Sequence, residues 1–177
     1  MEKIRSKVLV SERLVLKPIE ETSKDELLEI VTNQEVKKTY MLPDFKDKEE
    51  KDAFFLRLKA ISENLVRFVY GIYLEDHLIG FINEVEKDDT TIEIGYFISP
   101  KYWNHGYATE ALQVSIKELF KIGYFTVKAA HFKENKASGR VMQKCGMKLS
   151  GEESELEYRG KRERCVYYQI DKRGITI

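Results

Sequence analysis

Residues 92–111 read Ile92-Glu-Ile-Gly-Tyr-Phe-Ile-Ser-Pro-Lys-Tyr-Trp-Asn-His-Gly-Tyr-Ala-Thr-Glu-Ala111 and set a tight turn between two regular patterns. The first part alternates as a strand. From Tyr107 onward, Ala108, Ala111, Leu112, Ser115, Ile116, Leu119 and Phe120 fall on one helical stripe. A tight turn at a helix start presents main-chain N–H groups that have no partner inside the helix. The helix dipole adds positive potential there. Together these make an anion site suited to phosphate. Gly106 lets the backbone approach a ligand closely, and Ala108 keeps the next turn small. Charge-assisted hydrogen bonds contribute about 1.5–3 kcal/mol each. Several of them on a diphosphate hold a nucleotide coenzyme without a lysine. The turn Trp103–Ala108 is the place for that grip.

The chain lacks Gly-x-x-x-x-Gly-Lys-Ser/Thr, which argues against a triphosphate site, and Gly-x-Gly-x-x-Gly, which argues against a dinucleotide fold. His-Gly-Tyr-Ala taken alone also fits an ordinary strand-to-helix connection. Along the strand, Ile92, Ile94, Tyr96 and Ile98 share one face while Glu93, Gly95 and Phe97 share the other. Glu93 is the one carboxylate side chain of that stretch of strand, and an exposed glutamate on a half-wet strand is its plainest reading. His77, His105 and His131 are too scattered for a metal cluster, and no metal is expected.

The elements around this stretch follow from periodicity. Residues 13–19 alternate as a first strand that ends near Pro18. Thr22 or Ser23 caps a helix through about Asn33, and residues 40–43 form a loop. A second helix runs from about Lys48 to Asn64. Strands at 68–74, 78–86 and 91–99, joined by short turns, form an antiparallel meander. A strand at 125–132 follows the long helix, so it lies parallel to the strand before that helix. A short helix covers about 136–145, and a hairpin turns at Arg159-Gly160-Lys161. The order is β-α-α-β-β-β-α-β-α-β-β, a mixed and mostly antiparallel α/β sheet with one parallel pair and about four helices.

With 177 residues, 42% of them hydrophobic, the chain suits a single domain over residues 1–177 with a packed core. Thirty basic residues balance thirty acidic ones, so the electrostatic footprint of a nucleic-acid binder is absent. The basic cluster at 159–164 is interleaved with glutamates and reads as a solvated hairpin. Cys145 and Cys165 lack metal-ligand spacing and suit small buried positions in a reducing compartment. No signal-like core stands at the start and no run approaches a membrane span, so a soluble, cytoplasmic protein is expected. Nothing distinguishes a monomer from a homodimer.

The stretch Glu93 to Ala111 strongly resembles the GNAT superfamily of N-acetyltransferases, and within it the ribosomal-protein alanine and serine N-terminal acetyltransferases. Asn135-Lys-Ala-Ser138 leading to Val141-Met-Gln-Lys-Cys-Gly-Met147 is similar to that subgroup's second motif, and Arg13-Leu-Val-Leu-Lys-Pro18 is a third match. The resemblance implies the GNAT-like acyl-CoA N-acyltransferase fold, with the parallel strands splayed at the coenzyme site. It implies acetyl-CoA as cosubstrate and an amine as acceptor. Carried over, Phe97, Ile98 and Ser99 offer the strand edge to the pantetheine arm. Asn104, His105, Gly106, Tyr107 and Ala108 bind the pyrophosphate, and Thr109 adds a hydroxyl. Asn135 and Ser138 stand near the thioester. Glu93, on the same strand as that edge, is the candidate general base: the attacking amine must be neutral, which at pH 7 costs roughly 4–5 kcal/mol for a lysine-like amine and about 1 kcal/mol for an N-terminal amine, and a glutamate acting through a water takes up that proton. Many members place a tyrosine seven residues after the asparagine as an acid for the leaving thiolate; here that residue is Met142, and Ser138 is the substitute. Tyr40, Met41 and Tyr158 are candidates for the acceptor pocket, although core packing explains them equally well. Two other readings stay open. One is a catalytically weak acyl-CoA-binding regulatory module, which Met142 favours. The other is a structural domain without a nucleotide ligand.

Overall fold

The computed structural model describes residues 2–174. Its centre is one eight-stranded sheet in the order β1-β2-β3-β4-β5-β6-β8-β7. The strands are β1 (Leu9–Val10), β2 (Leu14–Lys17), β3 (Val69–Leu74), β4 (His77–Lys87), β5 (Thr91–Ile98), β6 (Thr126–Phe132), β7 (Lys148–Tyr158) and β8 (Lys161–Asp171). Every neighbouring pair is antiparallel except β5 and β6. The helices are α1 (Lys24–Thr32), α2 (Gln34–Lys37), α3 (Lys48–Glu63), α4 (Tyr107–Lys121) and α5 (Lys136–Lys144).

The mixed sheet and its parallel pair agree with the periodicity. Two short elements do not follow from it. Strand β1 has two residues and α2 has four, too few for a period to show. Helix α2 forms because Asn33 caps it, its side-chain oxygen accepting from the amides of Glu35 and Val36. The cap expected at Ser23 is absent. Its hydroxyl lies 3.0 Å from that of Tyr73, so Ser23 ties α1 to β3 instead.

Alternation on β5 divides the core. Ile92, Ile94, Tyr96 and Ile98 join the cluster beneath α4, with Leu112, Ile116 and Leu119. Phe97 joins the other cluster, with Leu27, Val31, Val36 and Phe55 from α1, α2 and α3. Gly95 must lack a side chain, because a Cβ there would stand 2.5 Å from the Tyr40 hydroxyl. That close approach lets the Tyr40 ring pack against the strand at Gly95.

The parallel pairing of β5 and β6 covers only Thr91/Thr126, Ile92/Val127 and Glu93/Lys128. Beyond Glu93 each strand continues, β5 to Ile98 and β6 to Phe132, without pairing to the other. The sheet is open there, and α4 and α5 both begin beside the gap.

Candidate active site

The gap opens into a cavity of about 360 Å³ lined by β5, the turn before α4, and the first turns of α4 and α5. Gly106 is the cap residue of α4, at φ 83°, and offers no side chain to the helix start. Asn104 is also left-handed, at φ 63°. The first main-chain bond of α4 runs from the Glu110 amide to the Gly106 carbonyl. The amides of Tyr107, Ala108 and Thr109 therefore precede the helical ladder. Helix α3 has Asp47 and α5 has Asn135 to cap such amides. At α4 a ligand can take that place, and the dipole of a fifteen-residue helix favours an anion.

Asn104, Gly106, Tyr107, Ala108 and Thr109 all line the cavity. His105 does not: its ring is exposed, its Nδ1 lies 2.7 Å from the Trp103 carbonyl, and it stacks on Tyr107 at 5.7 Å. The expected strand edge also needs correction. The Ser99 amide donates to the Ile79 carbonyl at 2.7 Å. Antiparallel alternation then turns the main-chain groups of Phe97 toward β4 as well, and those of Tyr96 and Ile98 toward the gap. The Ile98 carbonyl is held by the indole N–H of Trp103 at 2.7 Å. Of the three expected edge residues, only Ile98 presents its N–H to the gap. Tyr96 is the member that side-chain alternation missed.

Asn135 caps α5, its Oδ1 accepting from the Ser138 amide at 3.3 Å. Ser138 lines the cavity, and its hydroxyl makes no hydrogen bond among the described residues. The Tyr96 hydroxyl donates to the Ser138 carbonyl at 3.3 Å, linking β5 to the first turn of α5. Burial raises the Tyr96 pKa above the usual phenol value, so the hydroxyl stays protonated. Met142 is buried in the core beneath α5. Arg140 and Lys144 stand one turn apart on α5, both in the cavity wall, and no Asp or Glu lines it. Neither cation was among the residues the sequence singled out. Their four-residue spacing beside the Asn135 cap was the available signal.

Glu93 lies in a different recess. It stands at the last paired position of the parallel strands, half-buried, and lines a groove of about 450 Å³. Glu86, Asp88, Glu152 and Glu153 line the same groove, against Lys87 and Lys128. Neither lysine pairs with Glu93: Lys87 binds Glu84 at 2.9 Å, and Lys128 binds Glu152 of the same groove at 2.8 Å. Burial raises the pKa of Glu93, Glu86 and Glu152 reinforce the shift, and Lys128 opposes it.

Tyr40 sits on the Glu93 side of β5. Its hydroxyl donates to Asn83 Oδ1 at 2.6 Å, and its ring meets Phe97 edge-on at 5.0 Å. Tyr158 turns its hydroxyl to main chain, its single proton shared between the carbonyls of Tyr40 and Leu42 and its oxygen accepting from the Leu42 amide, at 3.1–3.2 Å. It pins the 40–42 loop to the β7–β8 hairpin and leaves no free polar group for an acceptor. Met41 is exposed. Both cysteines are free thiols; burial pushes Cys145 up to about 12 and also raises Cys165. Among the described residues no helix is long and apolar enough to cross a membrane.

The model of the acetyltransferase (GNAT) domain family matches residues 13–148. YoaA of Bacillus subtilis (strain 168), an uncharacterized N-acetyltransferase, is 27% identical over 149 residues, 81% of this chain and 84% of its own. A GNAT-family acetyltransferase structure from Bacillus anthracis superposes with a TM-score of 0.78 at 26% identity, covering 94% of this chain and 99% of that one. RimL, a ribosomal α-N-protein acetyltransferase solved in complex with coenzyme A, superposes with a TM-score of 0.73 over 93% of this chain and 97% of its own. At 16% identity the likeness to RimL is one of fold. A family match over most of the chain, a sheet parted at its parallel pair and an uncapped helix start at that parting agree: the chain belongs to the GNAT family and is an acetyl-CoA-dependent N-acetyltransferase.

Proposed function

We propose that the protein transfers the acetyl group to a primary amine, a protein N-terminus or a small-molecule amine, by direct attack of the amine on the thioester. One observation carries this reading. The acid-free cavity with Arg140 and Lys144 and the acidic groove with Glu93 both meet β5 where it parts from β6. The first suits an anionic coenzyme and the second a cationic amine.

In this reading the diphosphate rests on the amides of Gly106, Tyr107, Ala108 and Thr109. The pantetheine arm lies along the gap, against the main-chain groups of Tyr96 and Ile98. The amine enters from the acidic groove and loses its proton to Glu93, directly or through a water. A carboxylate whose pKa is raised is a better proton acceptor at neutral pH. The amine nitrogen then bonds to the carbonyl carbon, the carbon–sulfur bond breaks, and the second proton of the nitrogen passes to the departing sulfur, so the product is a neutral amide and the coenzyme leaves as the free thiol. Ser138 is the hydroxyl at the α5 start able to donate a hydrogen bond to that sulfur. Met142 has no proton to give.

The test is release of free thiol from acetyl-CoA across N-terminal peptides, N-blocked lysine peptides and small amines. Release that depends on one of these amines is expected. Tight coenzyme binding without release for any amine would instead support a coenzyme-binding module.

A further inference from the structure

Arg13 immediately precedes β2, far in sequence from the turn before α4, yet the fold brings them together. Its Nη1 donates to the His105 carbonyl at 3.0 Å. Its Nε and Nη2 reach Glu110 Oε2 at 2.8 and 2.7 Å, and its own amide donates to Glu110 Oε1 at 2.7 Å. The Ser11 hydroxyl adds a fourth bond to that carboxylate at 2.8 Å. The guanidinium also lies over the Tyr107 ring, 4.6 Å from its centre.

The peptide joining His105 to Gly106 is planar and trans, so its C=O and N–H point in opposite directions. Arg13 holds the C=O from outside the cavity, which turns the Gly106 N–H to the other side. Gly106 is a cavity-lining residue and Arg13 is not. A cation on the carbonyl polarises the amide and strengthens its donor end. The turn contains two left-handed residues, Asn104 and Gly106, so a flipped peptide is the nearby alternative conformation. Glu110 has a second effect. A carboxylate in the first turn of α4 would repel a diphosphate unless a cation offset it, and Arg13 does so through a two-pronged contact.

We propose that Arg13 and Glu110 are positioning residues for the coenzyme's diphosphate: Arg13 fixes the orientation of the His105–Gly106 peptide and neutralises Glu110 beside the anion site. This rests on the coenzyme placement proposed above, and it gives a role to the Arg13-Leu-Val-Leu-Lys-Pro18 segment, which has none in the transfer chemistry.

The test compares coenzyme A binding by calorimetry with turnover of two donors, acetyl-CoA and acetyl-pantetheine, which lacks the diphosphate. Arg13→Ala is expected to weaken coenzyme A binding about tenfold or more. Its kcat with saturating acetyl-CoA should stay within about twofold of the parent. Arg13→Lys keeps the charge without the fork and should fall between. Arg13→Ala with Glu110→Gln should bind coenzyme A more tightly than Arg13→Ala alone, because the unpaired carboxylate is gone. Turnover of acetyl-pantetheine should be unchanged by Arg13→Ala. If the alanine variant does not fold, Arg13→Gln and Arg13→Lys carry the same comparison. Coenzyme A affinity equal to the parent's in a folded variant would overturn the proposal. So would an equal loss with both donors, which marks a general structural role. A parent protein with no affinity for coenzyme A would bring down the coenzyme placement itself.

Discussion

Glu93 is the register partner of Lys128 at the last paired position before β5 and β6 separate, yet Lys128 directs its ammonium to Glu152 at 2.8 Å. The Glu93 carboxylate is left half-buried beside other acids, with no hydrogen bond among the described residues. A structural ion pair would have closed on the neighbouring lysine.

That isolation predicts the behaviour of Glu93→Gln. Transfer should slow by about 10²-fold or more, the usual scale for a general base, with coenzyme affinity unchanged. In the parent, activity should rise with pH as Glu93 ionises, and the variant should lose that limb. Stability supplies an independent readout. Glu93 has a raised pKa in the fold, so the folded state binds its proton more tightly than the unfolded chain. Its cost to stability is absent below the ordinary value of about 4.3 and grows as pH climbs through the folded value. Glu93→Gln should therefore be more heat-stable than the parent at neutral pH, an advantage that fades in acid. Melting curves across pH check this.

Gly106 can be probed with two substitutions of different size. At φ 83° any side chain is strained, although a Cβ would meet only Arg13 Nη2 at an ordinary 3.5 Å. Gly106→Ala should lower stability by about 1–2 kcal/mol and leave the fold intact. Gly106→Glu adds bulk and negative charge at the anion site, so coenzyme binding should collapse. Calorimetry with coenzyme A separates the two; unaltered affinity in the glutamate variant would show that the diphosphate binds elsewhere.

Arg140 and Lys144 are expected to select for the 3′-phosphate of the coenzyme. Replacing both with Gln should weaken acetyl-CoA binding by about a hundredfold or more, given about 1.5–3 kcal/mol for each charged hydrogen bond, and also flatten its salt dependence. Affinity for the analogue without that phosphate should change much less. Equal losses for both donors would place the phosphate away from α5.

Tyr158→Phe removes three main-chain contacts to Tyr40 and Leu42. Counted as one donated and one accepted hydrogen bond at about 0.5–1.5 kcal/mol each, their loss should loosen the 40–42 loop, visible as faster hydrogen exchange there. The acceptor KM should rise while coenzyme affinity holds. A change confined to coenzyme binding would assign the loop to the other side of the site.

The sequence made some of this legible and hid the rest for definite reasons. Gly106 and the stripe from Ala108 to Phe120 marked the start of α4, because both signals are local. The parallel pair followed from a helix standing between two strands. Side-chain alternation placed Glu93 and Tyr96 on opposite faces of β5, but the direction of each main-chain amide depends on pairing with β4, which one strand cannot reveal. Hence Phe97 and Ser99 face a neighbour where an open edge was expected. Capture of the Ile98 carbonyl by Trp103, and the bond between Arg13 and Glu110 across 97 positions, are tertiary and leave no periodic trace.

The acidity of the groove around Glu93 reaches past the attack itself. In the proposed reading an amine arrives there as a cation and departs as a neutral amide, so the reaction itself abolishes the attraction that drew it in. Acetylated acceptor should accordingly be a poor inhibitor, and turnover should be governed by exit of the thiol on the opposite face of β5.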